Sequence, residues 1–298
     1  MNFPQQSLLV TGTHGPLSAA FLNWLEKTPH KVLRVSRHPG VGEFSWEDLW
    51  AGNLLESVNV VIDFAWSTIT GSSEQHPGIE WRVDLPRLSR LLTRVTECGV
   101  SVPRYIFISS GGTVYGNANQ RPSQEEDELL PCGWHGFAKA AAENLVRRFG
   151  TLGVDFTILR PSNIYGFPLH SGPPRLIPYL LDSIYEGRSF EIRGDGTALK
   201  DYLHLEDFLA AMGEVIQQQL SGVFNIAAGK SYSISEVIQL VEGITGKKAR
   251  VTYRDAQKWD TTRSLLSCDK LMNCSPWRPS ISLPQGMHPL PLLKHAVA

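Results

Sequence analysis

Cysteine is scarce in this chain of 298 residues, which contains four: Cys98, Cys132, Cys268 and Cys274. Only the last two lie close together, and their spacing matches no zinc-binding pattern with a nearby histidine. The nine histidines likewise show no metal-ligand spacing. We therefore expect reduced, mostly buried thiols and no metal site.

Long hydrophobic runs and any excess of charge are also missing. No apolar run approaches the roughly 18 residues of a membrane span. The opening residues lack the basic region and the apolar stretch of a secretory signal. The 28 basic residues are scattered and balance 29 acidic ones, which gives a formal net charge of -1. We expect a cytoplasmic protein that neither inserts into membranes nor binds nucleic acid.

What the chain does contain is a regular alternation of apolar segments and helical patterns. The apolar, β-forming runs cover residues 7–10, 32–36, 58–64, 105–109 and 155–159. The helical patterns between them include residues 17–27, 79–98 and 136–149. This alternation is typical of an α/β fold in which helices cover both faces of a parallel sheet.

The texture of the sequence changes after Gly166. Prolines and glycines crowd the next residues, before a predicted helix at residues 176–185. We therefore predict two lobes. The first comprises residues 1–165, and the second, smaller α/β lobe comprises most of residues 166–298, with the chain crossing back to the first around residues 197–228.

A glycine turn joins the first predicted strand to the first helix. Gly12, His14 and Gly15 lie in the turn, Pro16 starts the helix, and Ser18 takes the place of the usual third glycine. Glycines let the backbone approach a pyrophosphate, and the free amides of a helix start attract anions. At the first strand-to-helix junction of an alternating chain, this turn favours a dinucleotide site and a Rossmann-like, doubly wound sheet.

The end of the second strand offers no carboxylate for an adenosine ribose, because Ser36 and Arg37 stand there. A hydroxyl followed by an arginine suits a 2'-phosphate, which tilts the expected cofactor from NAD towards NADP. An ordinary surface charge is the equal alternative for Arg37. Phe64 and Ala65, after a later strand, are expected at the same edge of the sheet, beside the cofactor.

Six further motifs follow one another along the chain, at residues 105–116, 134–143, 159–166, 194–204, 223–229 and 277–286. In this order they resemble the extended short-chain dehydrogenase/reductases, and among these the NAD-dependent sugar-nucleotide epimerase/dehydratase branch. The nearest pattern is that of UDP-hexose 4-epimerase-like proteins of polysaccharide biosynthesis. The resemblance implies that residues 1–165 bind NAD(P), that residues 166–298 mainly bind a sugar nucleotide, and that a cleft between the lobes holds nicotinamide against the sugar.

Such enzymes remove a sugar hydroxyl proton with a tyrosine that a lysine four residues later polarises. Lys139 occupies the lysine position, whereas His135 stands where the resemblance places the tyrosine. The orienting Ser or Thr of the family falls on or beside Gly111, so Ser110 and Thr113 are the candidates for that hydroxyl. Strand alternation would put Thr113 on the side of Gly111, which favours Thr113.

His135 decides between an enzyme and a silent homologue. Neutral imidazole has a reference pKa of about 6.5 and is a competent base at pH 7. The ammonium of Lys139, one helical turn on, disfavours the imidazolium form. Imidazole reaches less far than a phenolic oxygen, so a bridging water would have to compensate. The alternative is a helix-start histidine in a protein that binds ligands without turning them over.

The resemblance also assigns binding residues. It places Ser109, Lys139 and Pro161 beside the cofactor, and a purely structural hydrogen bond is the alternative for Ser109. Asn163 takes the position that contacts the nucleotide diphosphate. Lys200 replaces an arginine there, which keeps the charge but loses the bidentate fork. Arg263 is a candidate for a second clamping arginine, or a surface charge.

Three functions fit these residues. The first is a nucleotide-sugar 4-epimerase that oxidises C4 transiently with NAD(P), with His135 as the base. The second is an NADPH-dependent 4-ketoreductase, suggested by Ser36 and Arg37. The third is a catalytically impaired ligand-binding homologue, because several replacements fall on one site. The resemblance further implies a homodimer through the helices predicted at residues 79–98 and 136–149.

Overall fold

The computed structural model describes residues 5–98, 102–117, 121–167 and 175–287. No helix within these ranges is long and apolar enough to cross a membrane. The chain forms two compact units. Unit 1 comprises Met1–Ser110, Gly133–Arg160 and Met212–Phe224, and unit 2 comprises Gly111–Cys132, Pro161–Ala211 and Asn225–Ala298. The division of binding roles between residues 1–165 and residues 166–298 stays a prediction.

The elements that follow are given in chain order. The strands are β1 (Ser7–Thr11), β2 (Lys31–Ser36), β3 (Phe44–Ser45), β4 (Val60–Asp63), β5 (Arg104–Ile108), β6 (Phe156–Pro161), β7 (Asn163–Tyr165), β8 (Ser189–Arg193), β9 (Leu199–His204), β10 (Gly222–Ile226), β11 (Ser231–Ser233), β12 (Arg250–Arg254) and β13 (Arg263–Ser264). The helices are α1 (Pro16–Leu25), α2 (Trp46–Ala51), α3 (Thr70–Gln75), α4 (Ile79–Arg82), α5 (Asp84–Thr96), α6 (Gly111–Val114), α7 (Trp134–Gly150), α8 (Leu176–Tyr185), α9 (Leu205–Gln217), α10 (Ile234–Thr245), α11 (Asp269–Cys274) and α12 (Leu283–Met287).

Seven strands form one sheet in the order β10-β6-β5-β4-β1-β2-β3. The pairings from β3 to β6 are parallel, with Leu9 of β1 opposite both Leu33 and Val61. Leu8, Leu9 and Val10 are fully buried, as expected for a strand covered on both faces. The strand order reverses between β1 and β4, which is where such sheets bind dinucleotides. The predicted Rossmann-like α/β fold is confirmed.

Two helices cover one face of this sheet. Buried residues of α5 and α7, among them Leu88 and Val146, form one cluster with Leu9, Val61 and Phe107 of the strands. In α5 the buried apolar residues recur at intervals of three and four, the spacing of a helix with one apolar face. This packing fixes α7 against the sheet. His135 and Lys139, two of the catalytic candidates, are residues of this helix.

The single helix predicted at residues 79–98 is wrong, because the structure has two helices, α4 and α5. They meet at Val83, whose φ of -117° and ψ of -57° depart from helical values. Pro86 explains the break, since it lacks the N–H that would bond to the Arg82 carbonyl, and its ring would clash with that carbonyl. In the first turn of α5, which starts at Asp84, the same proline is tolerated.

Unit 2 is built around strand β9. It pairs with β11 in antiparallel fashion and with β7 and β13 in parallel fashion, while β8 and β12 form a separate parallel pair. Helices α8 and α10 bury Leu180, Ile184 and Val237 in one cluster with Phe190 and Tyr202. Helix α8 occupies the predicted residues 176–185. The second α/β lobe is thereby confirmed as part of the fold.

Candidate functional site

The glycine turn after β1 is folded tightly against the loop after β4. Gly12 has a φ of +69°, and a Cβ atom there would lie 2.5 Å from the Ala65 Cα and 2.9 Å from the Phe64 carbonyl carbon. The N–H of Gly12 donates to the Val35 carbonyl at 3.0 Å. Only glycine fits this position. The positive φ disfavours other residues, and the neighbouring backbone leaves no room for a Cβ atom.

The turn leads into helix α1 with Gly15 as the N-cap and Pro16 as the first helical residue. Gly15 has no side chain with which to cap the first amides of the helix. The Ser18 hydroxyl bonds back to the turn, 2.6 Å from the Gly12 carbonyl oxygen and 2.8 Å from that of Gly15. An anion can therefore approach the positive end of this helix.

A cleft of about 230 Å³ lies at this edge of the sheet, beyond the carboxyl ends of β1, β2 and β4. It is lined by Gly12, His14, Gly15, Ser36, Arg37, His38, Trp46, Ala65, Trp66, Ser67 and Arg87. Six of the residues predicted to contact the cofactor are among them, namely Gly12, His14, Gly15, Ser36, Arg37 and Ala65. Phe64 is not, since its ring packs 5.4 Å from that of Phe21.

A carboxylate that the sequence analysis did not find lies at the end of β2. Glu43 accepts hydrogen bonds from the Thr13 hydroxyl at 3.0 Å and from the Gly40 N–H at 2.9 Å. The same carboxylate lies 2.8 Å from the exposed His14 ring and 3.3 Å from the Ser36 hydroxyl. Burial alone would raise the pKa of Glu43, but these partners hold the pKa below its usual value. The residue is therefore a carboxylate at neutral pH.

Two buried aspartates hold the loop after β4. Asp63 accepts from the Ala65 N–H at 3.0 Å, and Asp84 accepts from the Ser67 N–H at 3.0 Å. Arg87 donates to the Ala65 carbonyl at 2.5 Å and to Asp84 at 3.1 Å. Burial raises the pKa of Asp84. This network fixes the backbone on which Trp66 stands.

Lys139 is buried beneath Trp66. Its Nζ donates to the Ile108 carbonyl at 2.8 Å and lies 3.8 Å from the centre of the Trp66 ring and 4.8 Å from that of Phe107. Burial lowers its pKa from 10.5 to about 7, although carboxylates that include Asp63 oppose the shift. The charge of this lysine is thus sensitive to pH near neutrality.

His135, one turn earlier in α7, lies against the same tryptophan. The rings of His135 and Trp66 meet edge to face, with centres 6.4 Å apart. Nδ1 of His135 is 3.4 Å from the Thr68 hydroxyl oxygen. Burial, followed by the charge of Lys139, lowers the pKa of His135 to about 3. The imidazole is therefore neutral at pH 7.

Ser109 and Pro161 lie at the ends of neighbouring strands. The Ser109 hydroxyl donates to Glu143 at 2.6 Å, and Glu143 also forms a buried ion pair with Arg160 at 2.6 Å. Pro161 is buried at the end of β6. Ser110, the next residue after Ser109, is partly buried. Ser109 thus has the structural hydrogen bond that was its alternative role.

Strand alternation does not favour Thr113 over Ser110, because the chain is not extended there. Gly111–Val114 form the helical turn α6, in which alternate residues do not share a face. Both hydroxyls remain candidates for orienting a sugar hydroxyl.

Gly112 leaves room for Asn163, since a Cβ atom there would lie 3.3 Å from the Asn163 Oδ1.

Unit 2 contains a larger cavity of about 760 Å³. Its lining includes the cationic side chains Arg175, Arg193 and Lys200, the acidic side chains Glu191, Asp195 and Asp260, and the aromatic side chains Tyr179 and Phe190. Burial lowers the pKa of Lys200 to about 8, and its ammonium donates to the Thr261 carbonyl. This cavity combines charged side chains of both signs with aromatic surface.

The other two residues predicted to contact the substrate stand beside strand β9. The Asn163 side chain donates to the Asp201 carbonyl at 3.0 Å. Arg263 lies on β13 opposite Leu199 and does not line the cavity. No group of three or more metal-ligating side chains is arranged to hold a metal ion among the described residues.

Residues 8–227 match the model of the NAD dependent epimerase/dehydratase family. The chain belongs to this family. The match confirms the resemblance carried by the motifs, and it covers the glycine turn, the residues of α7 and the segments Gly111–Cys132 and Pro161–Ala211 of unit 2, together with Asn225–Ala227.

Relatives of this epimerase/dehydratase family member include enzymes of two kinds. This chain is 26% identical over 305 residues to the UDP-glucose 4-epimerase of Halalkalibacterium halodurans. The alignment covers 92% of this chain and 90% of that enzyme. This chain is also 30% identical over 190 residues to the dTDP-4-dehydro-6-deoxyglucose reductase of Escherichia coli. That alignment covers 63% of this chain and 60% of the reductase. The crystal structure of the Thermus thermophilus UDP-glucose 4-epimerase in complex with NAD matches with a TM-score of 0.84 at 23% identity, covering 95% of this chain and 97% of that one. The last likeness shows the fold.

Several residues of the candidate sites in this family member could not be predicted from the sequence. Glu43 follows Ser36 by a loop, so only folding brings its carboxylate back to β2. Arg193 ends β8, and Arg175 precedes α8, and neither belongs to a motif. The basic residues at the ends of these elements were the only available signal, and nothing in their spacing distinguished them from surface charges.

Proposed function

We propose that this chain is an NAD-dependent epimerase that acts at C4 of a nucleotide sugar, most simply a UDP-hexose, with His135 as the acid and base. The observation that carries the proposal is the neighbourhood of Trp66. This side chain lines the cleft at the glycine turn and also contacts both Lys139 and His135. The relative named UDP-glucose 4-epimerase, aligned over 90% of its length, supports the reaction.

The residues of unit 1 fit a dinucleotide. The close approach of Gly12 to Ala65 and the uncapped start of α1 leave backbone amides for a pyrophosphate. Ser36 and Glu43 would face the adenosine ribose. When bound, the nicotinamide supplies the hydride acceptor for the sugar carbon and returns the hydride. The Thermus thermophilus enzyme was crystallised in complex with NAD.

We propose NAD rather than NADP as the cofactor. Ser36 and Arg37 favoured a 2'-phosphate in the sequence, and Arg37 does line the cleft. Glu43 opposes it, because its carboxylate lies 3.3 Å from the Ser36 hydroxyl and would repel a phosphate dianion there. A ribose 2'-hydroxyl can instead donate to a carboxylate, the contact that dinucleotide sites use for NAD.

His135 supplies the proton chemistry in this proposal. Its neutral ring takes the proton of the C4 hydroxyl while the C4 hydrogen leaves as hydride, which makes a 4-keto sugar. The resulting imidazolium returns the proton to the carbonyl oxygen when hydride comes back to the other face. Burial, and after it the charge of Lys139, keeps the resting imidazole neutral, and Ser110 or Thr113 orients the sugar hydroxyl.

We further propose that the cavity of unit 2 binds the nucleotide. Arg175, Arg193 and Lys200 would contact a diphosphate, and the rings of Tyr179 and Phe190 would pack against a base. The roles of Asn163 and Arg263 at the diphosphate stay predictions. So do a cytoplasmic location and a place in polysaccharide biosynthesis.

Turnover of a panel of UDP-, GDP- and dTDP-sugars, with NAD or NADP, tests the proposal when products are separated by chromatography and mass spectrometry. We expect conversion of one UDP-hexose to its C4 epimer, reduced at least 100-fold by His135→Ala. The exposed His76 provides the control His76→Ala, which should keep full activity. An absence of conversion across the panel would overturn the proposal and favour a ligand-binding homologue.

A second candidate is the NADPH-dependent 4-ketoreductase. It is favoured by Arg37 at the cleft and by the partial match to the Escherichia coli reductase. The two reactions differ in their balance of cofactor. A reductase oxidises one NADPH for each 4-keto sugar that it reduces, whereas an epimerase regenerates its cofactor and produces no net change in the absorbance of the dihydronicotinamide ring.

We also propose a homodimer through α5 and α7. Val83, Trp134 and Phe137 are 39%, 40% and 54% exposed, and the Trp81 and Phe137 rings stack at 5.4 Å. Such exposed apolar surface suits a second copy of the chain. Light scattering should give a dimer that Phe137→Glu dissociates, while Leu152→Glu, at another exposed site, does not. A monomeric natural protein would contradict the dimer.

A further inference from the structure

A buried carboxylate behind His135 has no role in the chemistry described so far. Glu80 of α4 is fully buried, and its Oε1 accepts hydrogen bonds from the hydroxyls of Thr68 at 2.6 Å and Ser73 at 2.5 Å. Its Oε2 makes no hydrogen bond within the described residues. A buried carboxylate lowers the stability of the folded state unless hydrogen bonds or nearby charges compensate for its lost hydration.

The charge of Glu80 determines the direction of these hydrogen bonds. Burial alone would raise the pKa of Glu80, but the bonds from Ser73 and Thr68 hold the pKa below its ordinary value. Glu80 is therefore ionised, and an ionised carboxylate only accepts. The single hydrogen of the Thr68 hydroxyl is thus directed at Glu80.

Because the Thr68 hydroxyl donates its hydrogen to Glu80, its oxygen can only act as an acceptor towards His135. The Thr68 oxygen is 3.4 Å from Nδ1 of His135, and it can only accept there, because its hydrogen is already donated. A hydrogen bond at this contact therefore requires the hydrogen of the neutral imidazole to be on Nδ1. The other nitrogen, Nε2, keeps its lone pair and is free to accept a proton.

We propose that Glu80 and Thr68 are positioning residues that hold neutral His135 in the tautomer protonated at Nδ1, so that Nε2 is the base. The catalytic meaning of this arrangement rests on the proposed function, whereas the tautomer itself does not. The edge-to-face contact with Trp66 helps to fix the plane of the ring. A histidine that replaces a tyrosine needs such a partner, because a phenol has no tautomers and an imidazole does.

The tautomer can be measured directly by NMR. Protein labelled with ¹⁵N-histidine is recorded at pH 7.5 in an experiment that correlates the imidazole nitrogens with the ring carbon-bound protons. The His135 signals are assigned by their loss in His135→Gln. We expect Nδ1 of His135 at the shift of a protonated nitrogen and Nε2 at that of an unprotonated one. The reverse pattern would overturn the proposal.

Three variants separate positioning from a merely structural role. Thr68→Val keeps the shape but removes the hydroxyl, so we expect mixed tautomers and kcat about tenfold lower, with KM and the Kd for NAD within about twofold. Thr68→Ser restores the hydroxyl and should restore both the spectrum and kcat. Thr70→Val makes the same change at an exposed threonine nearby and should leave the His135 tautomer unchanged. A natural spectrum retained in Thr68→Val would also overturn the proposal.

The spectrum requires no turnover, so its result is distinguishable from a failure of the proposed function. A protein that converts no nucleotide sugar but shows His135 protonated at Nδ1 would keep this inference and lose the epimerase. An active epimerase with His135 protonated at Nε2 would do the opposite. If Thr68→Val does not fold, the natural protein and Thr68→Ser still decide the tautomer.

Discussion

The ammonium nitrogen of Lys139 lies 3.8 Å from the centre of the Trp66 ring and is almost completely shielded from solvent, with 5% of the residue exposed. The ring face attracts the cation, and the Ile108 carbonyl accepts a hydrogen bond from it at 2.8 Å. These two contacts compensate only part of the lost hydration, so burial lowers the pKa of Lys139 to about 7. The protonation of this lysine is consequently coupled to folding.

Replacement of Lys139 by Met should change how stability depends on pH. The pKa of Lys139 is about 7 when folded and 10.5 as its ordinary value, so between these limits the unfolded chain binds the extra proton. Lys139 therefore makes the free energy of unfolding rise with pH in this window, by at most about 1.4 kcal/mol per pH unit. Below pH 7 both states are protonated and this contribution to the slope disappears.

Urea unfolding of the natural protein and Lys139→Met at pH 6 to 10 measures this difference. The stability of the natural protein relative to the variant should be flat below pH 7 and increase above it. Lys258, an exposed lysine, provides the control Lys258→Met. Parallel curves for the natural protein and Lys139→Met across the whole range would contradict the buried position of the ammonium.

Gly12→Ala should destabilise the glycine turn more than any loss of backbone freedom explains. Its Cβ atom would lie 2.5 Å from the Ala65 Cα, a backbone atom that cannot move alone, at a φ of +69°. Gly42 has a similar φ of +78° but no atom within 4 Å, so Gly42→Ala isolates the cost of conformation. We expect about 1 kcal/mol for Gly42→Ala and at least about 3 kcal/mol for Gly12→Ala. Equal losses in thermal or urea unfolding would show that the turn has room.

Glu43→Gln should weaken the discrimination between the two cofactors. The substitution removes the negative charge that faces Ser36 and keeps the size of the side chain. We expect the Kd for NADP, measured by calorimetry without substrate, to fall at least about tenfold relative to the Kd for NAD. Arg37→Gln should shift the same ratio in the opposite direction. Tighter binding of NADP than of NAD by the natural protein would contradict the role given to Glu43.

Arg160→Met should be one of the most damaging single substitutions in unit 1. Arg160 and Glu143 pair at 2.6 Å with side chains 1% and 0% exposed, so the variant leaves a buried carboxylate without its cation. We expect a loss of about 3–5 kcal/mol in the free energy of unfolding. The pair of Arg34 and Glu26 is exposed, and Arg34→Met should cost less than about 1 kcal/mol. Similar losses for both variants would contradict this difference.

Much of unit 1 could be predicted because its strands and helices have strong local patterns. The apolar runs at residues 7–10 and 105–109 match β1 and β5 within one residue at each end. The break at Val83 was missed, although Pro86 was visible, because the apolar spacing of a helix continues through residues 79–98. A proline in the first turn and a proline in the middle of a helix look alike until the start of the helix is known.

The site was predictable only where its residues belong to motifs. Gly12 follows from the glycine turn, and the resemblance to the family implies Lys139 and His135. Glu43 and Glu80 do not, since each acts through hydrogen bonds to residues that the fold brings near, such as Ser36 and Thr68. Contacts of this kind depend on loop conformations that local sequence patterns do not specify.

The return of the chain to unit 1 has a consequence for synthesis on the ribosome. Strand β6 ends at Pro161, but its neighbour β10 begins only at Gly222. Until then, the edge of β6 is unpaired, and the Arg104 and Thr157 side chains lack the Leu220 carbonyl to which both donate in the finished protein. A chain that folded its first strands during synthesis would therefore carry an open sheet edge at β6 until Gly222 had emerged, and such an edge can pair with other chains.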